Sequence, residues 1–227
     1  MRLIYDHYKP GTDAFDPSNP LIFNTGPLSG TALMQAVGHR GDPLPLRGSL
    51  LEVDWHHAND WFQQVAKEQF GDAQAAIPTS YQGKARSAVI SEHMERVADN
   101  MGVCKWLYGL FIYNDMDMAC RIFNLATGKD WGIDQILKTS ERVRNLERMF
   151  DVRQGLRRKD DSLPRKFFEQ PLGKGPYKGE VIDEKKFEQM KDEYYEIRGW
   201  DKHTGIPTRE KLVELGLGDA AGAVPDV

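Results

Sequence analysis

The spacing of apolar residues changes near Ser49. Before it, turn formers dominate: Lys9-Pro10-Gly11, Asp16-Pro17-Ser18-Asn19-Pro20, Thr25-Gly26-Pro27, Ser29-Gly30 and Asp42-Pro43 leave room for one short buried strand at Leu21-Ile22-Phe23. After it, Leu50, Leu51, Val53, Trp55, Trp61, Phe62, Val65 and Phe70 recur at intervals that predict a helix ending near Gly71. A second amphipathic stretch places Ala85, Val89, Met94, Val97 and Met101 on one side, with Gly102 as its stop. Trp106, Leu107, Leu110, Phe111 and Ile112 are too continuous for a solvated surface. The next helix, from Asp115 to Thr127, carries Met118, Ala119, Ile122, Phe123 and Ala126 at helical spacing and stops at Gly128.

A longer helix is expected from Gly132 to Phe150, with Ile133, Ile136, Leu137, Val143, Leu146, Met149 and Phe150 inward. Its Glu141, Arg142, Arg144, Glu147 and Arg148 read as a largely outward, solvated face with weak i,i+4 pairs. Beyond Gly155 the chain loosens, then closes with helices near Glu184 to Tyr195 and Thr208 to Leu215. The Gly, Ala, Pro and Asp tail from Gly216 to Val227 is expected to fray. The fold class is therefore mainly α, a helical bundle-like arrangement behind an irregular or weakly β N-terminal segment.

Composition narrows the function classes. With 30 Lys+Arg against 34 Asp+Glu, a net charge of -4 and scattered basic residues, nothing draws nucleic acid. No apolar run approaches the roughly 20 residues of a membrane helix, and the start lacks an apolar signal core, so a cytoplasmic location is expected. The two cysteines, Cys104 and Cys120, match neither a disulfide framework nor a zinc pattern. Two thiols by themselves do not hold a four-iron cluster, which usually takes four.

Asp99-Asn100-Met101-Gly102-Val103-Cys104 puts a carboxylate, a glycine and a thiol at one helix end. A carboxylate accepts hydrogen bonds from the ring N–H groups of a pterin, a glycine lets backbone approach a bulky ligand, and a thiolate ligates iron. The same residues also read as a C-cap, a solvated acid and a small buried hydrophobe, and taken alone they are more often that. His39, His56 and His57 complete no ligand spacing and read as surface or partly buried residues. Arg157-Arg158-Lys159-Asp160-Asp161 is either an anion-binding cluster or a self-neutralised one. Gly173-Lys174-Gly175-Pro176 lacks the frame of a nucleotide loop.

Several segments in fixed order carry a resemblance. They are Glu141 to Phe150, Arg158 to Pro164, Gly175-Pro176-Tyr177-Lys178-Gly179, Asp192 to Trp200 and Gly205 to Leu212. In order and spacing they resemble the C-terminal end of aldehyde ferredoxin oxidoreductases. Upstream, Ser80-Tyr81-Gln82-Gly83-Lys84-Ala85 followed by Asp99 to Lys105 is similar to that family's second pterin-binding segment, Asp-x-x-Gly-x-Cys. The resemblance implies that Asp99 hydrogen-bonds a pterin beside Gly102, and that Cys104 binds an iron of a 4Fe-4S cluster. Leu46-Arg47-Gly48 resembles the family's basic loop, which makes Arg47 a candidate cofactor contact.

By the same resemblance, residues 1–31 are a piece of the N-terminal cofactor-binding domain and 32–215 the C-terminal helical domains, while composition sets off 216–227 as a flexible tail. The sequence reads as jumping between Thr31 and Ala32: the remainder of the first domain and the CxxCxxxC cluster ligands do not occur in it. The implied cofactors are a tungsten or molybdenum bis-pterin and the 4Fe-4S cluster, with none bound by this chain alone as the other expectation. The implied activity is oxidation of an aldehyde to a carboxylate, with electrons passing to ferredoxin. A companion chain with the missing ligands and an oligomeric state are expected, as part of a split enzyme. The alternative is a non-catalytic helical module for binding or assembly.

Overall fold

The structure, a computed structural model, describes residues 29–38, 60–103, 116–173 and 177–222. The expected strand at Leu21-Ile22-Phe23, the apolar run at Trp106 to Ile112 and the three early histidines lie outside them. Among the described residues there is helix and turn, and the one β feature is an isolated antiparallel bridge between Trp200 and Pro207. The mainly α class is thereby established.

The centre of the molecule is a long helix, and its beginning explains its placement. Helix α1 (Ser29–Val37) precedes α2 (Asp60–Phe70), which ends at the left-handed Gly71, as its spacing predicts. A 3-10 turn, Ala73–Ala76, follows, capped by the Asp72 side chain on Gln74 N–H at 2.8 Å. Helix α3 (Lys84–Met101) starts from Gly83, whose φ is 71° and where a Cβ would come within 2.9 Å of the Asp72 Cβ. Glycine is required there on both counts. The first residue of α3, Lys84, is buried and donates from Nζ to the Ala75 carbonyl at 2.7 Å, tying the helix to the turn behind it.

From there α3 packs on α1 and on two later helices, α5 (Ile133–Arg153) and α7 (Glu184–Arg198). Ala32 and Ala36 on α1 face the same core as Ala85 and Ala88 on α3, and small side chains let the axes approach closely. Leu33, Phe187, Met190, Tyr194, Tyr195 and Trp200 are among the larger side chains of that core. Each large side chain removed from water contributes about 1.5–3 kcal/mol. Helix α1 runs unbroken across the Thr31 to Ala32 step, with both residues buried.

Three smaller cores surround this one. Helix α4 (Met116–Thr127), stopped by the left-handed Gly128, lays Ala119 and Cys120 on Val97, Ala98 and Ile136. Ala66 and Phe70 close over Ala75 and Ala76. A short helix α6 (Lys166–Glu169) adds Phe167 to the main core. Helix α8 (Arg209–Glu214) begins at Thr208, whose side chain accepts from Lys211 N–H at 3.2 Å. Beyond it lies α9 (Gly218–Ala221), with Leu217 buried in one cluster with Leu212 and Met149.

Helix α5 departs from its periodicity. Ile136 and Met149 are buried as expected, but Leu146 and Phe150 are exposed, while Glu141, Arg144 and Arg148 are buried. Helix α4 likewise leaves Met118, Ile122 and Leu125 exposed. Arg144 and Arg148 go inward because α1, α3, α7 and the segments around Asp161 and Gly205 offer them carboxylates, a hydroxyl and carbonyls. Hydrophobic spacing alone carries no record of those partners.

Candidate functional site

The four residues singled out from the sequence divide. Asp99 and Gly102 sit together at the C-terminal end of α3, whereas Arg47 and Cys104 lie outside the described residues. Gly102 is left-handed, with φ 69°, and its N–H bonds back to the carbonyls of Ala98 and Asp99. Val103 N–H returns to the Ala98 carbonyl at 3.1 Å, completing the stop. Among the described residues, a Cβ placed on Gly102 would meet nothing within 4 Å.

Asp99 is electrostatically out of place for a purely structural residue. The last turn of a helix carries partial negative charge, and a carboxylate there costs a few tenths of a kcal/mol up to about 1. Arg96, one turn earlier, offsets that cost with Nη1 at 3.6 Å from Asp99 Oδ2. Arg96 is itself fixed: its Nε and Nη2 donate to Glu147 Oε2 on α5 at 3.1 and 2.6 Å.

Behind Arg96 the ionic network runs into the core, and sequence reasoning missed it. Glu92 on α3 accepts from the Tyr194 hydroxyl at 2.6 Å and from Arg198 Nη2, and lies 3.4 Å from Arg144 Nε. Burial pushes the Glu92 carboxyl up, but Arg144 and Arg198 outweigh it and hold it at about 2. Glu141 is also held at about 2, chiefly by Arg198 against the effect of burial. His93 Nε2 stands 2.5 Å from Glu141 Oε2, and burial pulls its pKa down. Arg144 also donates from Nη2 to the Val37 carbonyl at 2.7 Å, a cation at the C-terminus of α1 where the helix dipole favours it.

A second buried group lies next to the first. Arg148 forks onto Asp161 at 2.8 and 2.6 Å and donates from Nε to the Gly205 carbonyl at 2.8 Å. Asp161 also accepts from the Tyr195 hydroxyl, and burial and the Asp161 charge together push that phenol well above its usual range. Trp200 joins the two groups. Its ring lies under both Arg144 and Arg148, 4.9 and 4.7 Å from the guanidinium carbons, and Nε1 donates to Asn145 at 2.9 Å. The basic run at Arg157 to Lys159 is not an open anion site either. Arg157 caps the Val152 and Leu156 carbonyls, and Arg158 pairs with Glu188 and Asp192 of α7. Its neutralisation comes mainly from another helix rather than from the adjacent aspartates.

The one signal for this network in the sequence is spacing. Glu92 with Arg96, and Tyr194 with Arg198, stand four apart, as do Arg144 and Arg148, so each helix presents its polar groups on a single stripe.

Comparison with known proteins now decides the family. Residues 28–217 match the family described as aldehyde ferredoxin oxidoreductase, domains 2 & 3. The chain belongs to the aldehyde ferredoxin oxidoreductase family. It is 38% identical over 136 residues to a tungsten-containing aldehyde ferredoxin oxidoreductase of Pyrococcus horikoshii, covering 59% of this chain and 21% of that protein. The protein of the same name from Thermococcus kodakarensis is 35% identical over 138 residues, 60% of this chain and 22% of its own length. An aliphatic sulfonate oxidoreductase, WOR-like subunit, of Pyrococcus furiosus is 46% identical over 63 residues, 28% of this chain and 10% of that protein. The chain thus spans about a fifth of the length of the tungsten-containing relatives it matches.

The residues at the α3 end fit one edge of a pterin site: an accessible acceptor, Asp99, beside a turn at Gly102 that no described side chain crowds. They do not fit a complete iron-sulfur site. The 227 residues hold two cysteines, and Cys120 is buried among Val97, Ala98 and Ile136. Among the described residues no three of His, Cys, Asp and Glu gather as a metal site.

Proposed function

We propose that this chain is the helical, cofactor-anchoring part of an aldehyde-oxidising oxidoreductase completed by a companion polypeptide. The observation that carries the reading is Asp99, an exposed carboxylate held at a helix end that disfavours it, beside the left-handed Gly102 turn, within a segment matching the family. A rule of local electrostatics broken at one residue is what a functional constraint produces.

When bound, a tungsten or molybdenum bis-pterin supplies the two-electron oxidation of an aldehyde to a carboxylate. The role of Asp99 is to accept hydrogen bonds from pterin N–H groups and fix their orientation. Gly102 keeps side-chain bulk away from that edge. Arg47 would add a basic contact from the N-terminal loop, and Cys104 would give one thiolate to a 4Fe-4S cluster whose other ligands belong to the companion. Ferredoxin is the proposed electron acceptor. No helix among the described residues is long and apolar enough to cross a membrane.

Exposed apolar side chains favour a companion: Leu125 is 84% and Phe150 64% exposed. The same exposure favours the second reading, a non-catalytic assembly module. Metal analysis separates the two. Protein purified without oxygen, with whatever stays bound to it, is expected to hold tungsten or molybdenum together with iron, and Cys104→Ala is expected to lose the iron. A folded protein, free of metal and pterin under those conditions, would leave the assembly module as the surviving reading.

A further inference from the structure

We infer that Arg96 is a positioning residue for Asp99, itself clamped by Glu147 across the α3–α5 interface; this rests on Asp99 being the pterin anchor proposed above. The three side chains form a graded series from interior to solvent. Arg96 is 5% exposed, Glu147 19% and Asp99 31%. Two nitrogens of the guanidinium, Nε and Nη2, donate to Glu147 Oε2, and the third, Nη1, lies 3.6 Å from Asp99 Oδ2, within ion-pair range.

An ion pair three residues apart on an open helix is worth little, because two long side chains must be ordered for a screened attraction. Here that ordering is largely complete before Asp99 is engaged. Packing and Glu147 hold the guanidinium, and Asp99, a short side chain with little rotamer freedom to lose, keeps 31% of its side chain exposed. A rigid acceptor binds a planar donor edge more tightly than a swinging one, since less freedom is lost on binding. Lysine cannot replace this arrangement, because one ammonium lacks the planar fork that reaches Glu147 and Asp99 together.

The test is the rate at which pterin leaves the anaerobically purified full chain with its bound partners, followed by fluorescence of the released and oxidised pterin. Asp99→Asn is expected to speed release about tenfold, and Arg96→Met about fivefold. The double variant should release no faster than Asp99→Asn alone, a result that a merely structural role for Arg96 would not give. Arg96→Lys should restore less than half of the loss. Glu147→Gln, which is milder on folding, should mimic Arg96→Met and serves if that variant does not accumulate. Unchanged release in Arg96→Met and Glu147→Gln, or a full additive effect in the Asp99→Asn background, overturns the positioning role while Asp99 keeps its own. Unchanged release in Asp99→Asn overturns the anchor itself, and a chain with no pterin to release overturns the functional reading on which both stand.

Discussion

Gly205 shows how much a single position can carry. Its φ is 72°, and a Cβ there would stand 2.5 Å from Arg148 Nη2 and 3.1 Å from the Tyr195 hydroxyl. Gly205→Ala therefore strains the backbone and pushes the guanidinium off Asp161. A loss of about 3 kcal/mol or more is expected in urea denaturation. Arg148→Met alone leaves Asp161 buried without its fork and should cost about 3–5 kcal/mol. Adding Asp161→Leu should recover a large part of that loss; a double variant as unstable as the sum of the singles would sink the pairing argument. Gly205 is recognisable in the sequence only as a turn residue. Its closeness to Arg148, 57 positions away, exists in three dimensions alone.

Among the elements, termini were the most legible feature. Gly71, Gly102 and Gly128 stop their helices where spacing predicts, each in the left-handed region open to glycine. Thr208 caps α8 as its sequence suggests, and Thr208→Ala should destabilise by about 1 kcal/mol, read as a shifted denaturation midpoint with unchanged slope. Faces were less legible than ends. Met118, Ile122 and Leu125 stand at one side of α4 at spacings of four and three, yet Ala119 and Cys120 are the residues that meet α5. Leu125→Lys and Phe150→Lys should leave stability within about 0.5 kcal/mol of the parent. If these residues bury against a companion or a second copy, the same changes lower the mass seen in light scattering; an unaltered mass for both variants excludes them from any interface.

For the whole molecule, the ionic core sets a pH window. Glu92 and Glu141 fall from 4.5 to about 2 on folding, each shift being on the order of 3 kcal/mol. Depressed carboxylates contribute fully above pH 4.5 and lose that contribution as pH falls toward 2. His93, pulled below 6.5 by burial, acts in the same direction, since the unfolded chain takes up its proton first. Its loss begins below pH 6.5. On the alkaline side, Tyr194 rises from 10.0 to about 12, so its contribution is complete below pH 10 and declines through that interval. Unfolding free energy measured across pH should stay level between about 7 and 9 and fall on both sides. Glu92→Gln should flatten the acid limb while lowering the plateau, because Arg198 and Arg144 lose a buried partner.

By itself, the sequence determined the helical class, most helix ends, and the ordered segments that place the chain in its family. These are local properties: glycines that tolerate a left-handed turn, a capping threonine, apolar residues at helical intervals, and residue strings that survive being read in one dimension. The pterin role proposed for Asp99 and Gly102 came from the resemblance of their segment to the family, since their types and spacing alone read equally as an ordinary helix end. Only the tertiary structure decided that Arg144, Arg148 and Arg198 turn inward and that Leu146 and Phe150 turn out. A guanidinium can be buried where carboxylates converge on it, and Glu92, Glu141 and Asp161 reach theirs from other parts of the chain. The same holds for the clamp on Arg96, since Glu147 meets it across 51 residues of sequence. Hydrophobicity is a property of one residue, whereas the compensation of a buried charge belongs to a pair.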